Sequence, residues 1–169
     1  MSLTNNIFVP TVLNGYAWDA VSGIDATLHG QYGGIRPFFP LYDNTAGNST
    51  WGNKCYVVYD TIMRIKRFPL AAIKKAEVLY SVRGPVPELL EFTNLLVWIL
   101  DRGDDAAKDV NEWAGSNVIN NSVFLHRIDV HEVNWSPEIT NVTNSRQLYV
   151  KNLVISCEYH LDTLFNEIT

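Results

Sequence analysis

His126 and His131 are the first residues of this chain that could do chemistry. Paired imidazoles hold transition metals when both point at one place. Five residues apart in an alternating strand, these two are expected to face opposite ways. His29 and His160 have no partner at ligand spacing, and neither do Cys55 and Cys157. The histidines therefore read as surface or half-buried side chains. Asp101, Asp105, Asp109 and Glu112 fall in the register of a calcium-binding loop. Gly103, however, takes a ligand position, and Ala106 takes the place of the turn glycine that such a loop requires. The segment reads instead as the acidic start of a solvated helix. Neither a nucleophile elbow nor a dinucleotide fingerprint occurs, and Gly30-Gln31-Tyr32-Gly33-Gly34 lacks the setting of a phosphate loop. No catalytic constellation, metal or cofactor is expected, and the chain reads as a non-enzyme.

Two other groupings suit contact rather than catalysis. Arg64, Lys66, Arg67, Lys74 and Lys75 are five of 13 cationic residues, gathered at one connection between strands. They could meet DNA phosphates or an acidic partner. The alternative is a solvated hairpin tip. Trp51 and Trp135 lie in polar stretches. Tryptophan there can anchor a partner or fold back onto its own domain. Trp98 and Trp113 lie on helices and are expected in the core.

The elements that position these residues follow from periodicity. At 169 residues the chain suits one domain, 1–169, with residues 1–35 as an N-terminal helix and loop segment. Its 47% hydrophobic content indicates a folded chain, and its net charge of −5 disfavours nucleic-acid binding by the whole surface. No apolar run approaches the ~20 residues that cross a bilayer. The N-terminus carries no signal-peptide pattern, so a cytoplasmic chain with two free, buried thiols is expected.

A helix is predicted over 11–22, with Gly23 as its stop and Gly15 weakening it. Pro37 to Tyr42 reads as an edge strand because its prolines exclude a central place. Residues 43–53 form a polar loop, longer than the about 4–6 residues usual in compact domains. A strand over 54–65 has both faces covered. In the next, Ala76, Val78, Tyr80 and Val82 point in while Lys75, Glu77, Ser81 and Arg83 point out. A Gly84-Pro85 turn leads to a helix opened by Pro87, with Leu89, Phe92, Thr93, Leu96, Ile99 and Leu100 as its stripe. Leu95 and Trp98 fall partly off that stripe. Asp104 reads as the N-cap of a second helix, Asp105 to Ala114. A strand over 122–133 would put Phe124, Ile128 and Val130 on one face. A polar loop at 134–146 precedes a last strand over 147–161, whose apolar face holds Tyr149, Leu153, Ile155, Cys157, Tyr159 and Leu161. The predicted class is α+β: a mostly antiparallel sheet of four or five strands with helices on one face.

Three stretches carry a resemblance. Pro37-Phe38-Phe39-Pro40-Leu41-Tyr42-Asp43 precedes a long polar loop. Glu77-Val78-Leu79-Tyr80-Ser81-Val82 runs into Val86-Pro87-Glu88-Leu89-Leu90-Glu91-Phe92-Thr93-Asn94-Leu95. Leu100-Asp101-Arg102-Gly103-Asp104-Asp105 runs on to Trp113, and two strands close the chain. Taken together, residues 37–161 resemble the tail terminators of long-tailed phages, most of all those of actinobacterial hosts. Gly103 stands where an acidic residue is expected in such proteins.

The resemblance implies an α+β fold and a homohexameric ring at the head-proximal end of the tail tube. Such a ring stops tube polymerisation at the length set by the tape-measure protein. It then offers a surface to the head–tail connector, and DNA passes through its channel. Asn44, Asn48, Trp51, Trp135 and Asn141 become candidates to clasp the tube or connector. Phe39, Tyr42, Leu95 and Trp98 become candidates for the subunit interface. Asp104, Asp105 and Asp109 could line the channel, while Lys66, Arg67, Lys74 and Lys75 meet DNA or an acidic partner. The expected location is the virion, at the head–tail junction, after assembly in the host cytoplasm and without membrane contact. Other readings are a different neck or tail-tube ring component, or a monomeric binding module.

Overall fold

The structure, a computed structural model, describes residues 6–24, 32, 35–41, 54–62, 73–143 and 146–162; of residues 62, 133–143 and 146–148 it describes the backbone alone. The elements are α1 (Val9–Ile24), β1 (Phe38–Pro40), β2 (Tyr56–Ile62), β3 (Lys74–Pro85), α2 (Glu88–Leu100), α3 (Asp104–Asn117), β4 (Val123–Thr143) and β5 (Arg146–Leu161). The strands form one sheet in the order β1-β2-β3-β5-β4. Only the β1–β2 pair is parallel. Helix α2 packs on β3, β4 and β5, α3 packs on β4, and α1 packs on both other helices. The α+β class expected from periodicity is the one observed.

Strand β3 shows how alternation becomes a core. Ala76, Val78, Tyr80 and Val82 are fully buried, while the residues between them are half-buried. The Tyr80 hydroxyl donates to Asn14 Oδ1, which ties α1 to the sheet. Gly84 and Pro85 do not form the expected turn. They still register with Tyr149 and Leu148 of β5, and the chain turns at Val86 and Pro87. A long partner strand extends the ladder past a local turn signal. In α2 the buried side chains are those of the predicted stripe.

Two glycines are required by their surroundings. Helix α1 runs through Gly15 and past Gly23 to Ile24, and the Trp113 ring of α3 sits directly against Gly15. A Cβ there would collide with the Trp113 ring. Gly103, and not Asp104, is the N-cap of α3. Its φ of 59° lies in the left-handed region that favours glycine. Its N–H donates to Ile128 O at 2.9 Å and its carbonyl accepts Ile128 N–H at 3.1 Å. Nearby, the Asn111 amide bonds both backbone groups of Leu125, and Asp101 Oδ1 accepts Val130 N–H. The open edge of β4 is thus capped over its first half, which blunts pairing with foreign strands.

Strand β4 departs most from expectation. Within the predicted loop at 134–146, residues 134–143 and 146 are instead strand: β4 continues to Thr143, and β5 begins at Arg146. Its pairing is irregular, with register shifts including one between Asn134 and Glu138 that spans Trp135-Ser136-Pro137. Polar composition reads as loop, yet an edge hairpin can be polar because neighbouring strands supply its hydrogen bonds. A second shift, between Leu125 and Arg127, leaves His126 as an extra residue. Ile128 is buried and Val130 nearly so, but Phe124 is 42% exposed on the opposite face. The same bulge reverses the parity between His126 and His131, so both belong to the face away from the helices. Cys55 and Cys157 are buried and share no disulfide, as expected.

Candidate functional site

Among the described residues, those singled out for contact do not converge on one place. Asn44, Asn48, Trp51, Tyr42, Lys66 and Arg67 lie outside the described residues. Trp135 and Asn141 sit on the far half of β4 and not in a loop: Trp135 lies in the register shift that follows Asn134, and Asn141 lies near the hairpin end where Thr143 pairs with Arg146. Lys74 and Lys75 open β3 and are half-buried, with Lys75 registered opposite Glu158. They belong to a strand and not to a solvated connector.

Trp98 is 70% exposed, contrary to the expectation of core packing. The stripe of α2 runs through Leu89, Phe92, Leu96 and Ile99, and the helical period leaves residue 98 on the solvent side. Leu95 beside it is half-buried. Trp113 does pack inward: its Nε1–H donates to Asp19 Oδ2 at 2.7 Å, and its ring fills the space over Gly15. Phe39 registers with Val58, on the sheet face away from the helices, and its ring meets Tyr56 at 6.3 Å. Leu41 and Phe8, also exposed, line a cleft of ≈ 380 Å³ with Pro10, Pro40 and Tyr59 at the β1 edge. Two separate apolar patches result, one on α2 and one at β1.

The acidic residues divide as well. Asp104 and Asp105 are exposed in the first turn of α3, where carboxylates suit the helix dipole. Asp104 lies 3.7 Å from Arg127. Asp109 is paired with Arg102 at 2.7 Å, and the same guanidinium nitrogen donates to the Tyr16 hydroxyl. The Asp109 carboxylate accordingly raises the Arg102 pKa.

Two features went unread in the sequence. Lys151 shares the apolar face of β5 and is only 5% exposed, 3.6 Å from Glu132. His126 Nε2 lies 2.6 Å from His160 Nδ1, and His160 Nε2 bonds Asp162. His160 therefore has a partner after all, supplied by the neighbouring strand. Burial and the facing His160 lower the His126 pKa, against the opposing pull of Glu158 and Asp162. Phe124 hints at an aromatic cluster, but nothing in 124–127 announces the bulge that builds it.

Among the described residues, no three His, Cys, Asp or Glu side chains form a metal-holding group. Burial pushes the Cys157 thiol up to about 12, which makes it a poor nucleophile. No family model matches the chain, and no curated protein matches it. No helix of the described residues is long and apolar enough to cross a membrane.

Proposed function

We propose that this chain is a phage tail terminator, a ring-forming structural protein and not an enzyme. The observation that carries the reading is Trp98. It stands 70% exposed on α2, beside half-buried Leu95, within a stretch that resembles the family. Tryptophan is enriched at interface hot spots, so an exposed indole beside a half-buried leucine suits a surface that a partner covers. A closed ring also needs two different patches per subunit, because its contacts are heterologous. The α2 patch and the cleft at the β1 edge meet that need, since α2 packs on β3, β4 and β5.

In this reading the ring is a homohexamer at the head-proximal end of the tail tube, at the head–tail junction of the virion. It halts tube growth at the length set by the tape-measure protein and joins the head–tail connector. DNA crosses its channel. Exposed Asp104 and Asp105 are candidates to keep that channel from holding DNA, since like charges repel phosphates. The far half of β4, which bears Trp135 and Asn141, is a candidate contact for tube or connector.

Electron microscopy of the purified protein, with its native mass, tests the reading. Discrete single-layer rings are expected, and Trp98→Ala should leave folded monomers. Long tubes would identify a tube component instead. If the chain stays monomeric, adding it to polymerising tail tubes decides. Blocked growth supports the terminator, and unchanged growth overturns it in favour of a monomeric binding module.

A further inference from the structure

The geometry points to a two-histidine site for one divalent transition-metal ion between His126 Nε2 and His160 Nδ1. Two ring nitrogens 2.6 Å apart must be one donor and one acceptor. The Asp162 carboxylate can only accept, so it takes the Nε2–H of His160. His160 Nδ1 is then a lone pair, and it points at His126. Moving the His126 proton from Nε2 to Nδ1 changes no net charge. It leaves two imidazole lone pairs converging on one point.

Three features fit an ion there. A ligating histidine almost always donates its other ring N–H to a carboxylate or carbonyl, which fixes its tautomer and raises its basicity. Asp162 holds that place behind His160. The donor set of two imidazoles suits zinc, nickel or copper and not calcium or magnesium, which take oxygen ligands. The Phe124 ring lies against both imidazoles, at 5.4 Å from His126 and 5.1 Å from His160, and walls one side. Zinc–nitrogen bonds of about 2.0–2.1 Å in a tetrahedron place two nitrogens about 3.3 Å apart, so the rings must part by about 0.7 Å. His126 sits in a bulge, where the strand carries an extra residue and no ladder partner holds it. Among the described residues no third ligating side chain joins the pair, so water completes the coordination there. The ion would bridge β4 and β5 at the point where their backbone pairing is interrupted.

The test is a titration of zinc(II) alone into the full, untagged chain near neutral pH, read by calorimetry against a weak chelator. Saturation at one ion per chain is expected. His126→Gln and His160→Gln should each abolish it, and His131→Gln should leave it intact. Asp162→Asn should weaken affinity about 10- to 100-fold, the usual loss when such a supporting carboxylate is removed. Ring-proton spectra of the unmutated chain serve if a variant fails to fold: zinc should shift His126 and His160 together and spare His131. No saturable site, a site that survives His126→Gln, or unshifted His126 and His160 rings would each overturn the proposal. None of these outcomes depends on ring formation, so the site and the terminator reading stand or fall separately.

Discussion

The two faces of this sheet come from the same strands, yet they carry opposite loads. Under the helices, Val78, Tyr80, Val82, Leu153, Ile155 and Cys157 are fully buried. On the other face of β3 and β5, Lys75, Glu77, Ser81, Arg83, Asn152, Glu158 and His160 are half-buried. The helix face holds the domain together through apolar area removed from water. The opposite face carries the titratable groups and the histidine pair, and Tyr56, Val58 and Ser156 are buried among them. Lys151 is the exception that marks the limit of the apolar face.

This contrast can be broken by mutation. Leu153→Ala on the helix face should cost about 2–5 kcal/mol, through lost transfer energy and the cavity left behind. Chemical denaturation measures it, and a loss below 1 kcal/mol would mean that the core closes over the gap. Gly15→Ala drives a methyl into the Trp113 ring and should cost about 1–3 kcal/mol, because α1 and α3 must part. The same denaturation series ranks it below Leu153→Ala.

A smaller effect lies in alkaline stability. The Cys157 thiol is held at about 12 in the fold against 9 when free. Below pH 9 it is protonated in both states and contributes no pH dependence. Between 9 and 12 the unfolded chain loses this proton and the native one keeps it, so stability falls as pH rises. Cys157→Ala should flatten that fall, and melting curves across the window check it. An unchanged slope would assign the fall to buried tyrosines such as Tyr80, whose hydroxyl is also raised by burial. On the opposite face, Glu77→Gln should change stability by no more than about 0.5 kcal/mol, the range of surface substitutions. A larger loss would show that this face is covered. Trp98→Ala sharpens the comparison further: the monomer's melting temperature should hold while assembly fails.

Much of this was legible beforehand. The buried residues of β3, the stripe of α2, the apolar face of β5 and the α+β class all follow from periods of 2 and 3.6. The exposure of Trp98 follows from the same helical period, and the general burial tendency of tryptophan misled only where it overrode that period. Element ends were less legible. Gly84-Pro85 and residues 134–143 looked like turn and loop, and β5 drew both into strand pairing.

The amino-acid order alone determined which side chains must be sheltered together within each element, because that information repeats every two to four residues. Tertiary structure decided what meets across elements. The bulge at His126 turned two histidines to one face, and the strand order laid β5 beside β4 so that His160 could reach it. Asn111, Gly103 and Asp101 came to cap an edge far from them in sequence. Each of these depends on which strand neighbours which, and hydrogen-bond partners remote along the chain leave no local period to read.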